Sequence, residues 1–83
     1  MFHIIKYFKS AADLNCPFAQ CFLGFFYLNG IFIEQNVNNG IHYLLKSCKQ
    51  NHIEAEYILG FAYLEGKNIE KDVNKAFTYL SLA

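Results

Sequence analysis

Few side chains in this 83-residue chain are suited to chemistry, and their spacing limits which chemistry is worth considering. Cys48 and His52 stand four apart, the separation that brings two metal ligands to one face of a helix. Asn51 lies between them and reads as a turn, and a site would need further ligands. The spacing therefore predicts no metal centre. As a nucleophile and base, the same pair lacks a third residue to orient it. His3 and His42 are isolated. There is no GxSxG, no glycine-rich phosphate loop and no HExxH, so the expectation is no catalytic residue, no cofactor and no enzyme. Cys16, Cys21 and Cys48 are odd in number and contain no CxxC pair, which argues against a zinc ribbon or a thioredoxin-type site. They are expected to be small packing residues. Free thiols fit a reducing compartment, so the cytoplasm is favoured.

The elements that must position these side chains follow from an internal repeat. Shifted by 36 residues, Ala19 falls on Ala55, Leu23-Gly24-Phe25 on Leu59-Gly60-Phe61 and Tyr27-Leu28 on Tyr63-Leu64. Gly30 meets Gly66, Ile33-Glu34 meets Ile69-Glu70, Val37-Asn38 meets Val73-Asn74, and Tyr43-Leu44 meets Tyr79-Leu80. Ile5 and Tyr7 match Ile41 and Tyr43, so the pattern also runs backwards. A period of this length marks a solenoid in which each unit is one supersecondary element. Such arrays present surfaces to partners.

Apolar spacing is helical, as at Ile53, Tyr57, Gly60 and Tyr63. Pro17 suits the start of a helix, and Gly30 and Gly66 suit left-handed helix ends. Asn15 and Asn51 fit the same role for the helices before them. Asn36 and Asp72 are N-cap candidates. Five helices are predicted: Phe2 to Leu14, Cys16 to Asn29, Val37 to Gln50, His52 to Glu65 and Val73 to Leu82. The division is one array over 1–83: 1–14 ends a preceding repeat, 15–50 is repeat one, and 51–83 is an incomplete repeat two. Ala19/Ala55 and Gly24/Gly60 would let the second helix of each unit come close, with Leu23/Leu59 and Tyr27/Tyr63 filling the seam. Gly40, opposite Ala76 in the other copy, reads as a local weakness.

Composition narrows the partners. Apolar residues make up 54% of the chain, enough for a folded core, yet the chain is short for an independent one. Formal charge is zero, which removes the attraction that nucleic acid or anionic membranes require. Cys16 to Ile33 is an uncharged, mostly apolar run near the lower limit for a membrane span. Its counterpart, His52 to Ile69, carries Glu54, Glu56, Glu65 and Lys67, so membrane insertion is not expected.

The pattern Ala19-x3-Leu23-Gly24-x2-Tyr27-x2-Gly30, then Ile33-Glu34, Val37 and Tyr43-Leu44, resembles the Sel1-like repeat. So does Ala55-x3-Leu59-Gly60-x2-Tyr63-x2-Gly66 with Ile69, Asp72-Val73, Ala76 and Tyr79-Leu80. The resemblance covers essentially the whole chain. It implies an all-α, right-handed superhelix of antiparallel helix pairs, related to tetratricopeptide repeats, that acts as an adaptor or scaffold. Gly40, where the family usually has alanine, and bulky Phe26, where the second copy has Ala62, are departures. The cysteines do not follow the per-repeat disulfide spacing of some secreted relatives.

By the same resemblance, the first helix of each unit lines a concave face. Its inward positions would be Phe18, Cys21, Phe25 and Asn29 in one copy and Glu54, Tyr57, Phe61 and Glu65 in the other. Such a face would take a protein partner, as a helix or extended peptide with an apolar anchor and a basic neighbour. Phe25 and Phe61 have two readings, ligand contact or packing between adjacent helices. A different function is purely structural. Phe2, Ile4, Ile5 and Phe8 at one end and Leu80 to Ala83 at the other lack the polar cap of terminal repeats, which predicts contact with neighbouring repeats or end-to-end self-association.

Overall fold

The computed structural model describes residues 2–66 and 68–82, with Phe2 described by its backbone alone. Met1, Lys67, Ala83 and the Phe2 side chain, which enter the expectations above, lie outside the described residues. The described residues form five helices and no strand: α1 (Phe2–Asp13), α2 (Pro17–Asn29), α3 (Val37–Cys48), α4 (Ile53–Glu65) and α5 (Val73–Leu82). The all-α fold is as expected, with trimmed ends. Cys16 and His52 are N-caps in extended conformation rather than helical residues, α1 stops at Asp13 and α3 at Cys48.

The turn chemistry explains these ends. Asn15 and Asn51 adopt positive φ (70° and 59°), so the chain leaves one unit and enters the next within a few residues. Asparagine tolerates this left-handed conformation better than most residues. Gly30 and Gly66 end α2 and α4 at φ 67° and 69°, and their N–H groups donate to the carbonyls of Phe26 and Ala62. The Asn36 side chain accepts from the Asn39 N–H, and Asp72 Oδ1 accepts from the Lys75 N–H. Each side chain thus satisfies an orphan donor at a helix start.

Each unit repeats one seam. Tyr27 stacks on Tyr43 at 5.9 Å, and Tyr63 on Tyr79 at 6.0 Å. Leu23 and Leu59 are fully buried beside them. Gly24 and Gly60 allow the close approach expected of them. A Cβ at Gly24 would come within 2.7 Å of Leu44 Cγ and 2.8 Å of the Gly40 carbonyl oxygen; one at Gly60 would meet Leu80 Cγ at 2.6 Å.

Gly40 requires a correction. It is buried, and a Cβ there would lie 2.9 Å from the Gly24 oxygen and 2.9 Å from the Leu28 nitrogen. It is the place where the α3 backbone rests on α2, rather than a weakness. Two apolar clusters fill the molecule. One centres on Ala12, Ala19, Leu23 and Tyr27 between α1, α2 and α3; the other centres on Leu28, Leu44, Leu59 and Ala76 and extends to α5.

Phe26 also has a structural reason. Its ring packs at 5.6 Å from Phe8 of α1 and 5.3 Å from Phe32, extending an aromatic cluster at the α1 edge. Ala62, its counterpart, faces α2 across a groove that a phenylalanine would fill.

Candidate functional site

Helices α2 and α4 are successive first helices and run side by side. Toward their C-terminal ends they leave a groove of about 330 Å³. Phe25, Leu28 and Asn29 form its α2 wall. Tyr57, Ile58, Phe61, Ala62 and Glu65 form its α4 wall, and Asn68 closes one end. Tyr57 and Phe61 are one helical turn apart, so their rings stack at 6.2 Å. Both stay about half exposed, at 46% and 48%. Asn68, at φ 67°, turns the loop back so that its Nδ2 donates to Asn29 Oδ1 at 3.1 Å. The groove therefore has apolar walls, two amides at one end and the Glu65 carboxylate on its rim.

Of the eight inward positions expected, Phe25, Asn29, Tyr57, Phe61 and Glu65 line this groove. Phe18, Cys21 and Glu54 do not. They gather around His52 near the N-terminal ends of α2 and α4. The Phe18 ring meets the His52 ring edge-on at 4.8 Å. Ligand atoms of Cys21, His52 and Glu54 all lie within 4.8 Å of one another. Cys21 has no exposed surface, so it is a core residue there and not a contact offered to a partner. Burial, then the Glu54 carboxylate and Cys48, push its thiol up to about 12. Phe61 is half exposed and Phe25 partly buried.

Leu28, Ile58, Ala62 and Asn68 are groove residues that sequence reasoning missed. Leu28, Ile58 and Ala62 carried a signal, since each lies next to a chosen position on the same helix. A buried polar network was missed as well. Gln20 has no exposed surface; its Nε2 donates to the Ala12 carbonyl and Asn15 Oδ1. Gln50 Nε2 donates to Gln20 Oε1 and to the Asn15 carbonyl, and Ser47 Oγ donates to the Pro17 carbonyl at 2.8 Å. These bonds fix the angle at which α2 leaves the Asn15 turn and thereby the orientation of the groove wall. All three cysteines are free. No helix among the described residues is long and apolar enough to cross a membrane.

Comparison with known proteins agrees with this geometry. No curated protein sequence matches the chain. A crystal structure of a Sel1 repeat protein from Oxalobacter formigenes superposes with a TM-score of 0.82 at 32% identity, over 94% of this chain and 32% of that one. The crystal structure of c5321, a protective antigen of uropathogenic Escherichia coli strains with an SLR fold, superposes at TM-score 0.87 and 24% identity, over 95% of this chain and 17% of that one. The chain thus spans about a third or less of these relatives. The Sel1 repeat model matches residues 5–16, 17–52 and 53–83. Repeats of this kind are generally protein–protein interaction modules and typically a non-catalytic scaffold. With its two tyrosine-stacked helix pairs and nearly complete coverage by that model, the chain belongs to the Sel1 repeat family.

Proposed function

We propose that this chain is an adaptor module, without catalytic activity of its own, that binds a peptide or helix in the groove between α2 and α4. The observation that carries this reading is the stacked Tyr57–Phe61 pair, half exposed beside Phe25. Aromatic rings held rigid at the wall of a concave site give a partner a large apolar contact at little entropic cost. Glu65 on the rim selects a basic residue next to the partner's apolar anchor; Glu54, further along α4, adds to the same field. The zero net charge speaks for a protein partner over nucleic acid. The functional unit is the array of 15–50 and 51–83, since the groove takes one wall from each.

A selection from a displayed random-peptide library tests this. Enriched peptides should share a large apolar residue flanked by lysine or arginine. Phe61→Asp, with an unchanged circular dichroism spectrum, should lose at least tenfold in affinity, while Phe77→Asp on exposed α5 should not. Equal loss in both variants, or no enrichment, would contradict the reading.

A second reading has its own observation. Tyr7 at one end of the array and Phe77 and Leu82 at the other are 73%, 62% and 61% exposed. These edges suit stacking of further repeats or of a second copy. Sedimentation that remains monomeric at high concentration would count against self-association.

A further inference from the structure

We propose that Cys21, His52 and Glu54 form a binding site for a thiophilic divalent cation, zinc in the first instance, that ties repeat one to repeat two. The residues come from both repeats. Cys21 lies in the middle of α2, His52 is the N-cap of α4, and Glu54 is in the first turn of α4. Their ligand atoms lie within 4.8 Å of one another, and ligands around a tetrahedral zinc stand about 3.5 Å apart given bonds of about 2.0–2.3 Å. Small side-chain rotations close that difference, and Glu54, being exposed, is free to make one.

A separate observation points to a missing partner. His52 Nε2 is buried and has no hydrogen-bond partner among the described residues. A buried polar nitrogen left without a partner is unfavourable, because it has given up its hydrogen bond to water. The N-cap role does not account for it, because the His52 side chain makes no cap hydrogen bond. Phe18 holds the imidazole in place edge-on, as a rigid ligand requires. The donor set of one sulfur, one nitrogen and one oxygen favours zinc over magnesium or calcium, which take oxygen ligands. A fourth position would remain for water on the exposed Glu54 side.

Binding requires the buried Cys21 thiol to lose its proton. A divalent cation supplies the positive charge that lets the thiolate form, and the released proton leaves to solvent. The residues joined here are distant in sequence; Cys21 lies 31 positions before His52.

Cobalt(II) titration of the purified, reduced chain is the test. The expected result is one equivalent of cobalt bound with an intense sulfur-to-cobalt charge-transfer absorption, abolished by zinc and by denaturant. Cys21→Ser should remove the band, Glu54→Gln should weaken cobalt binding at least tenfold with an unchanged circular dichroism spectrum, and Cys16→Ser should leave the band intact. Because Glu54 is exposed, its variant keeps the test valid should Cys21→Ser unfold. Absence of the band in the parent chain at millimolar cobalt, its survival in folded Cys21→Ser, or unchanged affinity in Glu54→Gln would overturn the proposal.

Discussion

The two helix pairs share one sequence pattern but close their seams differently. In the first pair, Gly24 faces Gly40 and the two backbones touch, with Leu44 pressed over Gly24. In the second pair, Gly60 faces Ala76, and the atoms that crowd Gly60 belong to the Leu80 side chain; the Ala76 oxygen would stand 3.4 Å from an added Cβ. The first pair is also bound by the Ser47–Pro17 and Gln50–Gln20 bonds. Leu44 is fully buried, while its counterpart Leu80 is partly exposed. One pair is thus closed by backbone contact and the other by a side chain. The groove takes one wall from each, so its α2 side is backed by backbone and its α4 side by the Leu80 side chain.

Substitutions can break this contrast. Leu44→Ala should give the largest effect, about 2–5 kcal/mol of stability by the usual range for buried leucines, with Leu80→Ala well below it; chemical denaturation of both variants measures the gap. Next is Gly24→Ala, which should destabilise by about 1–3 kcal/mol because backbone atoms cannot yield. Gly60→Ala should cost less, since Leu80 can change rotamer. Equal melting-temperature losses for the two glycine variants would erase the distinction. Ser47→Ala removes one hydrogen bond and should lower stability by about 1 kcal/mol, read from the same denaturation curves.

A pH effect is expected at the junction of the two pairs. In metal-free protein, burial first and then Glu56 raise the Cys48 thiol from 9.0 to about 11. The folded state holds that proton more tightly than the unfolded chain. The associated stability is therefore fully present below pH 9.0 and is lost as pH rises toward about 11. The urea midpoint of the parent chain should fall over that window more than that of Cys48→Ser. Parallel curves would contradict the assignment.

The parts of the fold that were legible are those in which the two copies agree. A residue and its equivalent 36 positions on report one environment twice, which is why the tyrosine pairs, the glycine helix ends and the asparagine turns could be read directly. Gly40 was misread because it differs from Ala76, and comparing copies treats a difference as a defect. Only the contact with Gly24 shows its purpose. The candidate site was read along one stripe of α2 and α4. That stripe continues past the groove, and its N-terminal part is occupied by Phe18 and His52, which separates Phe18, Cys21 and Glu54 from the rest. The cluster of those residues joins positions far apart in the chain, where spacing carries no signal.

The central claim is that the α2–α4 groove is the partner surface. Nuclear magnetic resonance mapping of an enriched peptide on the labelled chain tests it most directly. The account predicts that the ring resonances of Phe25, Tyr57 and Phe61 shift most, with Tyr7 and Phe77 unmoved. Shifts concentrated on Tyr7, Phe77 or Leu82 would place binding at the ends of the array and contradict it.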